Sequence, residues 1–265
     1  MTAGLHRARS VLFLPASNPR AIMHARESAA DLVILDLEDA VKLEDKESAR
    51  SDAVEAAASD WPMPVAIRVN GVGSEWHSLD IDSVAQSEAA FAVLPRASSA
   101  HLAREVSAAI GKPVLAMIET AAGVIAASEI APESAGLIAG TNDLRADLQV
   151  PIGKDRRAIS ASLQLIVLAA RAAGVPVFDG VFNDLEDSEG FSAECAEGRA
   201  LGFDGKSLIH PKQIEQCNRA FSPSEEELDR ARRLVEAFGG GAERFEGQMI
   251  ERMHVEAARR LLDRA

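Results

Sequence analysis

The segment DLVILDLEDAV, residues 31–41, sets two requirements that pull against each other. Its first half is continuously apolar and rich in branched residues, as in a strand buried on both faces. Its second half places Asp36, Glu38 and Asp39 within four residues, and carboxylates are costly to bury unpaired. The segment must therefore leave the core at its C-terminal end, either into water or toward something cationic.

The same rhythm recurs along the chain. Working outward, comparable apolar runs are SVLFLP (10–15), PVAIRVN (64–70), AFAVLP (90–95), PVLAMIE (113–119), GLIAG (136–140), GVPVFDG (174–180) and GKSLIH (205–210), which with DLVILDLE (31–38) makes eight. Gly or Pro bounds many of them, and stretches such as ESARSDAVEAAASD and RRAISASLQLIVLAARAAG between them carry helical spacing. Eight strand–helix units in 265 residues favour a closed (β/α)8 TIM barrel. A doubly wound sheet is the alternative, but the glycine fingerprint often found after its first strand is missing from LFLPASNPRAI. The α/β reading thus assigns residues 1–221 to the barrel and 222–265 to a C-terminal helical extension of the same domain. In that extension SPSEEELDRARRLVEAF opens like a capped helix, GGGAERFEGQ reads as a flexible connector, and HVEAARRLLDR reads as a last helix.

Composition excludes several classes of partner. With 28 Lys plus Arg against 41 Asp plus Glu, the formal charge is −13, which argues against nucleic acid or an anionic membrane as the main partner. No stretch approaches the roughly 18–20 apolar residues of a membrane span, and MTAGLHRARSVLFLP lacks the pattern of a secretory signal. The expectation is a cytoplasmic protein. Cys195 and Cys217 have no metal or redox spacing and read as reduced thiols.

In a barrel of this type, chemistry collects where strands end. Polar residues at those ends are Asp36, Glu38, Asp39, Arg68, Asn70, Arg96, Glu119, Asn142, Asp143, Asp179 and His210, whereas the opposite ends show mainly Asp31, Pro64, Pro113, Gly136 and Gly205. Several carboxylates with few His and no Cys nearby suit a hard cation, Mg2+ above all. Glu119 and Asp143 are the candidate ligands; capping or salt-bridge roles are the alternative. Arg68 could clamp a carboxylate or support a developing oxyanion, or simply neutralise the acidic stretch. Arg20 and His24, one helical turn apart, could receive phosphates or merely be solvated. His210, before a Pro, reads as structural. Lys112 and Lys206 stand at the wrong strand ends for a Schiff base.

The motifs RSVLFLPASNP, VILDLEDAV, IRVNGVGSEW, AVLPR, AMIETAAGV, GTNDL, GFDGKSLIHPKQI, FSPSEEELDRARRLVEAF and GQMI occur in an order and spacing similar to the citrate lyase beta-subunit-like (CitE-like) branch of the HpcH/HpaI aldolase superfamily. That branch includes citryl-CoA, malyl-CoA and citramalyl-CoA lyases. The resemblance spans Arg9 to Arg264. It implies a barrel assembled as a homotrimer or hexamer, with Mg2+, or Mn2+ in its place, at Glu119 and Asp143. It also implies that Arg68 contacts substrate and oxyanion, and that Arg20, with Phe13 and His24, holds the CoA portion. Phe178 and Asp179 would line the thioester site, and Asp36 and Glu38 would orient Arg68 and metal-bound water. The implied reaction is Mg2+-dependent cleavage of a short 3-hydroxyacyl-CoA between C2 and C3, or the reverse condensation of acetyl-CoA with a 2-oxoacid; such sites can also hydrolyse the thioester.

Three rival readings remain at this level: a citrate lyase beta subunit acting on an acyl-carrier-protein thioester, a CoA-independent pyruvate-releasing aldolase, and a non-catalytic acyl-CoA-binding or assembly protein. Two departures from the family pattern stand out. Ala16 replaces a frequent Gly after the first strand. In GQMIERM, Glu251 replaces an Asp and Met253 a Pro. The family Asp sits on a lid that reaches a neighbouring subunit and exchanges a proton with the acyl carbon, so Glu251 is the candidate acid–base group.

Overall fold

The computed structural model describes residues 2–151, 153 and 155–263; Arg264 lies outside them. Eight strands, β1 Ser10–Pro15, β2 Leu32–Asp36, β3 Val65–Arg68, β4 Phe91–Leu94, β5 Val114–Ile118, β6 Gly136–Ala139, β7 Val177–Asp179 and β8 Gly205–Leu208, pair in sequence order. All pairings are parallel, and β8 closes on β1 with Ser10 opposite Lys206. The expected (β/α)8 TIM barrel is therefore the observed fold. Its helices are α1 Pro19–Arg26, α2 Lys46–Ala57, α3 His77–Gln86, α4 Ala100–Ile110, α5 Ala121–Ile130, α6 Thr141–Asp147, α7 Ser160–Ala173, α8 Ser188–Leu201 and α9 Ile214–Phe221.

The strands look continuously apolar because both faces are covered. Leu32, Ile34, Ala66, Phe91, Val93, Leu115, Met117, Ile138 and Phe178 fill the barrel interior, while the alternate residues Val33, Leu35, Ile67, Ala92, Leu94, Ala116 and Ile118 meet the helices. Local signals fix the helix ends. The Ser99 hydroxyl accepts from the Leu102 amide at the start of α4, and Gly111 ends that helix at φ 69°, a left-handed conformation that glycine adopts without a Cβ penalty. Among the described residues no helix is long and apolar enough to cross a membrane.

The extension contains α10 Glu225–Ala237 and α11 Arg252–Asp263. Ser224 and Glu227 form a reciprocal capping box at the start of α10. The glycine-rich connector is not the flexible link expected from composition. Glu243–Phe245 (β9) and Gln248–Ile250 (β10) form an antiparallel hairpin, turned by Glu246 at φ 46° and Gly247 at φ 82°, the two positive angles of a tight two-residue loop. Ala231, Leu234, Ile250, Val255 and Ala258 bury a small core of their own. Glu227 ties α10 to Arg199 on α8 at 2.8 Å.

The seam of the barrel is tight. The Lys206 amide donates to the Arg9 carbonyl at 2.8 Å, and a Cβ on Gly205 would overlap that same carbonyl oxygen. Gly205→Ala should cost about 1–3 kcal/mol through backbone displacement, read as a lower midpoint in chemical denaturation. An unchanged midpoint would refute the close approach.

Candidate active site

The mouth at the strand C-termini is built from neighbouring strands whose inward positions turn polar at their last turn. In the β2–β3 register Asp36 stands beside Arg68. Arg68 donates from Nε and Nη2 to the two Asp36 oxygens, both at 2.6 Å, a bidentate geometry that holds the guanidinium plane. Its Nη1 lies 2.9 Å from Glu38 Oε2 and 3.8 Å from the Met117 sulfur, and its carbon sits 5.3 Å from the centre of the Phe13 ring. Although burial lowers its pKa, Asp36 and Glu38 more than reverse this, so Arg68 stays charged.

A second set of bonds holds the loop that carries Glu38. Buried Lys46, on α2, donates to the carbonyls of Leu37 and Glu38, both at 2.6 Å, and to Asn70 Oδ1 at 2.7 Å. The Asn70 amide and side chain in turn donate to Asp80 at 2.9 and 2.7 Å, and Arg50 Nε donates to the same carboxylate at 2.7 Å. Asp36 also accepts from the amides of Glu38 and Ala40 at 2.8 and 3.2 Å.

Across the mouth, Glu119 follows β5 and Asp143 lies in the first turn of α6. Glu119 Oε1 accepts from the Arg96 amide at 2.6 Å, whereas its Oε2 is buried without a hydrogen-bond partner. Gly140 leaves that oxygen its space, since a Cβ there would fall on the Glu119 carboxylate. Burial pushes Glu119 up to about 7 against the pull of the Arg96 amide, with Asp143 adding to the rise. Burial, seconded by Asp39, raises Asp143 as well. Burial pushes Glu38 up to about 8 despite Arg68.

These side chains face a cavity of about 370 Å³ whose lining includes Phe13, Asp36, Asp39, Arg68, Glu119 and Asp143. Five carboxylates gather here, counting Glu38, while the guanidiniums within 4.0 Å of them belong to Arg68 and Arg96. The excess of negative charge, with an unpartnered buried carboxylate oxygen in it, is what a hard divalent cation would relieve. Among the described residues no group of three or more His, Cys, Asp or Glu could hold a metal ion. The Glu119–Asp143 pair, lining one cavity with Glu119 Oε2 unpartnered, would suit a cation that takes one or two carboxylates and completes its shell with water and substrate oxygens, as Mg2+ does.

Phe13, Asp36, Arg68, Glu119 and Asp143 meet in the cavity, with Glu38 at its edge; other sequence expectations fall elsewhere. Arg20 and His24 are exposed on α1. Glu251 is exposed where β10 meets α11, its amide donating to His254 at 3.0 Å. Phe178 and Asp179, expected to line the thioester site, are not among the residues lining this cavity. Phe178 is wholly buried inside the barrel. The Asp179 carboxylate, one residue on, is buried where it meets Arg156 at 2.7 and 2.9 Å and Lys206 at 3.1 Å. Burial opposes its charge, yet Lys206 and Arg156 hold its pKa below the usual range. His210 caps the following turn, Nδ1 accepting from the Lys212 amide at 3.1 Å. Lys46 and the backbone role of Arg96 gave no signal in the sequence.

A closed barrel with a fixed arginine opposite a carboxylate pair defines an enzyme scaffold of the oxygen-ligand, divalent-cation type. The chain belongs to the HpcH/HpaI aldolase/citrate lyase family, whose profile matches residues 9–211, and within it to the citrate lyase beta-subunit-like branch. It is 42% identical to a (3S)-malyl-CoA thioesterase of Cereibacter sphaeroides, covering 98% of this chain and 95% of that protein. It is 34% identical to citrate lyase subunit beta of Leuconostoc mesenteroides subsp. cremoris, over 96% and 92% of the two chains. Among solved structures, the protein CitE of Mycobacterium tuberculosis in complex with magnesium, acetoacetate and coenzyme A superposes with a TM-score of 0.88 at 34% identity, over 98% and 99% of the two chains. The family is enzymatic, with CoA-ester lyase and thioesterase activities among its members.

The raised carboxyls set a pH dependence. Glu38 at about 8 and Glu119 at about 7 lie above their ordinary value near 4.5, so the folded state binds more protons than the unfolded one across that window. Stability is fully present below the unfolded value and is lost as pH rises through 7 to 8. In chelator, the melting temperature should fall between pH 6 and pH 9, and the double replacement Glu38→Gln, Glu119→Gln should shrink that fall. An identical pH profile in the variant would show that these carboxyls are not the source.

Proposed function

We propose that the chain is a Mg2+-dependent carbon–carbon lyase that cleaves a malyl-CoA-type 3-hydroxyacyl thioester to acetyl-CoA and a 2-oxoacid. The observation that carries this reading is the unpartnered Glu119 oxygen beside Asp143, facing a guanidinium locked by Asp36. Glu119 and Asp143 would hold Mg2+, or Mn2+ in its place. When bound, the metal would supply a Lewis acid that polarises the hydroxyl oxygen becoming the carbonyl of the 2-oxoacid. Arg68, unable to move away from Asp36, would present its remaining N–H groups to the thioester oxygen, where negative charge grows as C2 and C3 separate. Preorganisation of this kind favours the transition state over the ground state. Phe13 offers the cavity an apolar wall, and Arg20 and His24, exposed on α1, would receive the phosphates of CoA.

Two further parts of the reading concern the extension and the assembly. Glu251 would return the proton to the acyl carbon from a neighbouring subunit, since its carboxylate is exposed and absent from the lining of its own mouth. Homotrimer or hexamer formation is supported by the outer face of α5 and α7, where Ile125, Leu165 and Leu168 are 83%, 51% and 58% exposed. Each of these two helices carries a single charged side chain, Glu129 and Arg171, on a molecule of net charge −13. The free buried cysteines Cys195 and Cys217 support a cytoplasmic setting.

Hydrolysis of the thioester is a second reading, favoured by the 42% identity to a (3S)-malyl-CoA thioesterase. One assay separates them. Carbon–carbon cleavage of malyl-CoA yields glyoxylate and acetyl-CoA with no free thiol, whereas hydrolysis consumes water and yields malate and CoA thiol. We expect glyoxylate, loss of turnover in chelator, and recovery with Mg2+; thiol release without glyoxylate would replace the lyase by the thioesterase. Arg68→Lys should lower kcat on the order of 100-fold with little change in KM, because an ammonium cannot reproduce the fork. Unchanged kcat with raised KM would move Arg68 to a binding role. Glu251→Gln should abolish glyoxylate formation while CoA-ester binding, measured by calorimetry, persists; wild-type rates would remove Glu251 from proton transfer.

A further inference from the structure

Arg96 follows β4 and Pro95 and adopts φ 49°, one of three positive angles at non-glycine residues among the described residues. The left-handed region is disfavoured for a side chain of this size, so the surrounding structure must enforce it. The turn has two products. It aims the Arg96 amide at Glu119 Oε1, at 2.6 Å, leaving Oε2 of the same carboxylate unpartnered. It also brings the Arg96 guanidinium to 3.8 Å from Asp143 Oδ1. One residue therefore addresses both carboxylates of the pair, one through its backbone and the other through its side chain.

The two arginines of the mouth differ in freedom. Arg68 is 9% exposed and doubly bonded to Asp36. The Arg96 side chain is 54% exposed, and its 3.8 Å approach to Asp143 is an ion pair, too long for a hydrogen bond. It compensates charge without a directed bond, and an exposed side chain can swing into water at little cost.

We propose that Arg96 is the built-in counter-cation of the Glu119–Asp143 pair. Its amide fixes Glu119, while its guanidinium occupies the field of Asp143 until a divalent ion arrives and displaces it. Arg96 thereby weakens metal binding and sets it to a reversible range. This rests on the reading of Glu119 and Asp143 as metal ligands. Arg96 acts through those ligands and is a positioning residue.

The test uses Mn2+ as the probe and the free-ion electron paramagnetic resonance signal as the readout, on full-length protein without substrate. Arg96→Gln keeps the amide and the side-chain length and removes the charge; it should bind Mn2+ about two- to fivefold more tightly than wild type at low ionic strength, the size expected for one half-exposed charge. The gain should shrink in roughly 0.5 M salt, where screening is strong. Arg96→Lys, with charge restored, should return to wild-type affinity. Denaturation midpoints near wild type for both variants, whose residue is exposed, would verify the fold. Equal affinity of Arg96→Gln and wild type overturns the proposal alone. Weaker binding by Arg96→Gln also overturns it, because the guanidinium would then be assisting the ion. Absence of Mn2+ binding by wild type overturns the metal reading and this inference together.

Discussion

The bidentate pair of Asp36 and Arg68 is the constraint on which the mouth depends. The parallel register sets the two residues side by side on adjacent strands, at the level where the apolar interior gives way to the cavity. A guanidinium that deep is costly to bury without a matched acceptor, and Asp36 supplies both oxygens. Once Asp36 is committed, Glu38 meets the remaining Nη1 at 2.9 Å without the alignment of a hydrogen bond. That is why burial prevails at Glu38 and its carboxyl rises to about 8. The same Asp36 oxygens accept the amides of Glu38 and Ala40, so the strand end, the loop and the arginine are held as one unit.

Behind this unit the barrel uses buried charge as mortar rather than as chemistry. Lys206 is wholly buried yet fully engaged, donating to Asp179 at 3.1 Å, the Gly180 carbonyl at 2.6 Å and Glu194 at 2.6 Å. Buried ion pairs add little net stability over apolar packing of equal volume, but losing one partner strands the other. Their effect here is positional: the end of β7 is clamped to β8 and α8, and Gly180, which has no room for a Cβ against Thr141, carries the chain on to Val181 at the cavity wall.

How much of this was legible in the sequence follows from the kind of signal each residue emits. The strands were readable because burial on both faces leaves largely apolar runs, although β8 carries buried Lys206 and Ser207 between its Gly and Leu. The site carboxylates were readable as polar residues just past those runs, where Glu38, Asn70 and Glu119 indeed lie beyond the strand bounds. Asp179 carried the same mark but answers to a finer rule. Side chains alternate along a strand, and with Phe178 inside the barrel its neighbour must face the helices. The hairpin of 243–250 was hidden because its turn places a positive φ on Glu246, a residue that does not advertise it. Lys46 was silent, since one buried lysine in a charged helix leaves no pattern, and the strained backbone of Arg96 is a property of the fold.

The hairpin changes how the extension must be understood. A glycine-rich tether could absorb the extra methylene of Glu251 by slack, but β9 and β10 are paired and further fixed by Arg230 and Arg233, which reach Glu246 at 3.4 and 2.9 Å. With its apolar core between α10 and α11 and its anchor at Arg199, the extension is an arm rather than a string. An arm delivers its tip to a defined point. If Glu251 serves a mouth as proposed, its longer reach relative to aspartate would be taken up by the rotamers of that one side chain or by the space that receives it. Under the proposed proton-transfer role, the length of the Glu251 carboxylate and the depth of the cavity that receives it would have to match, because an arm fixed by its hairpin has no slack to make up the difference.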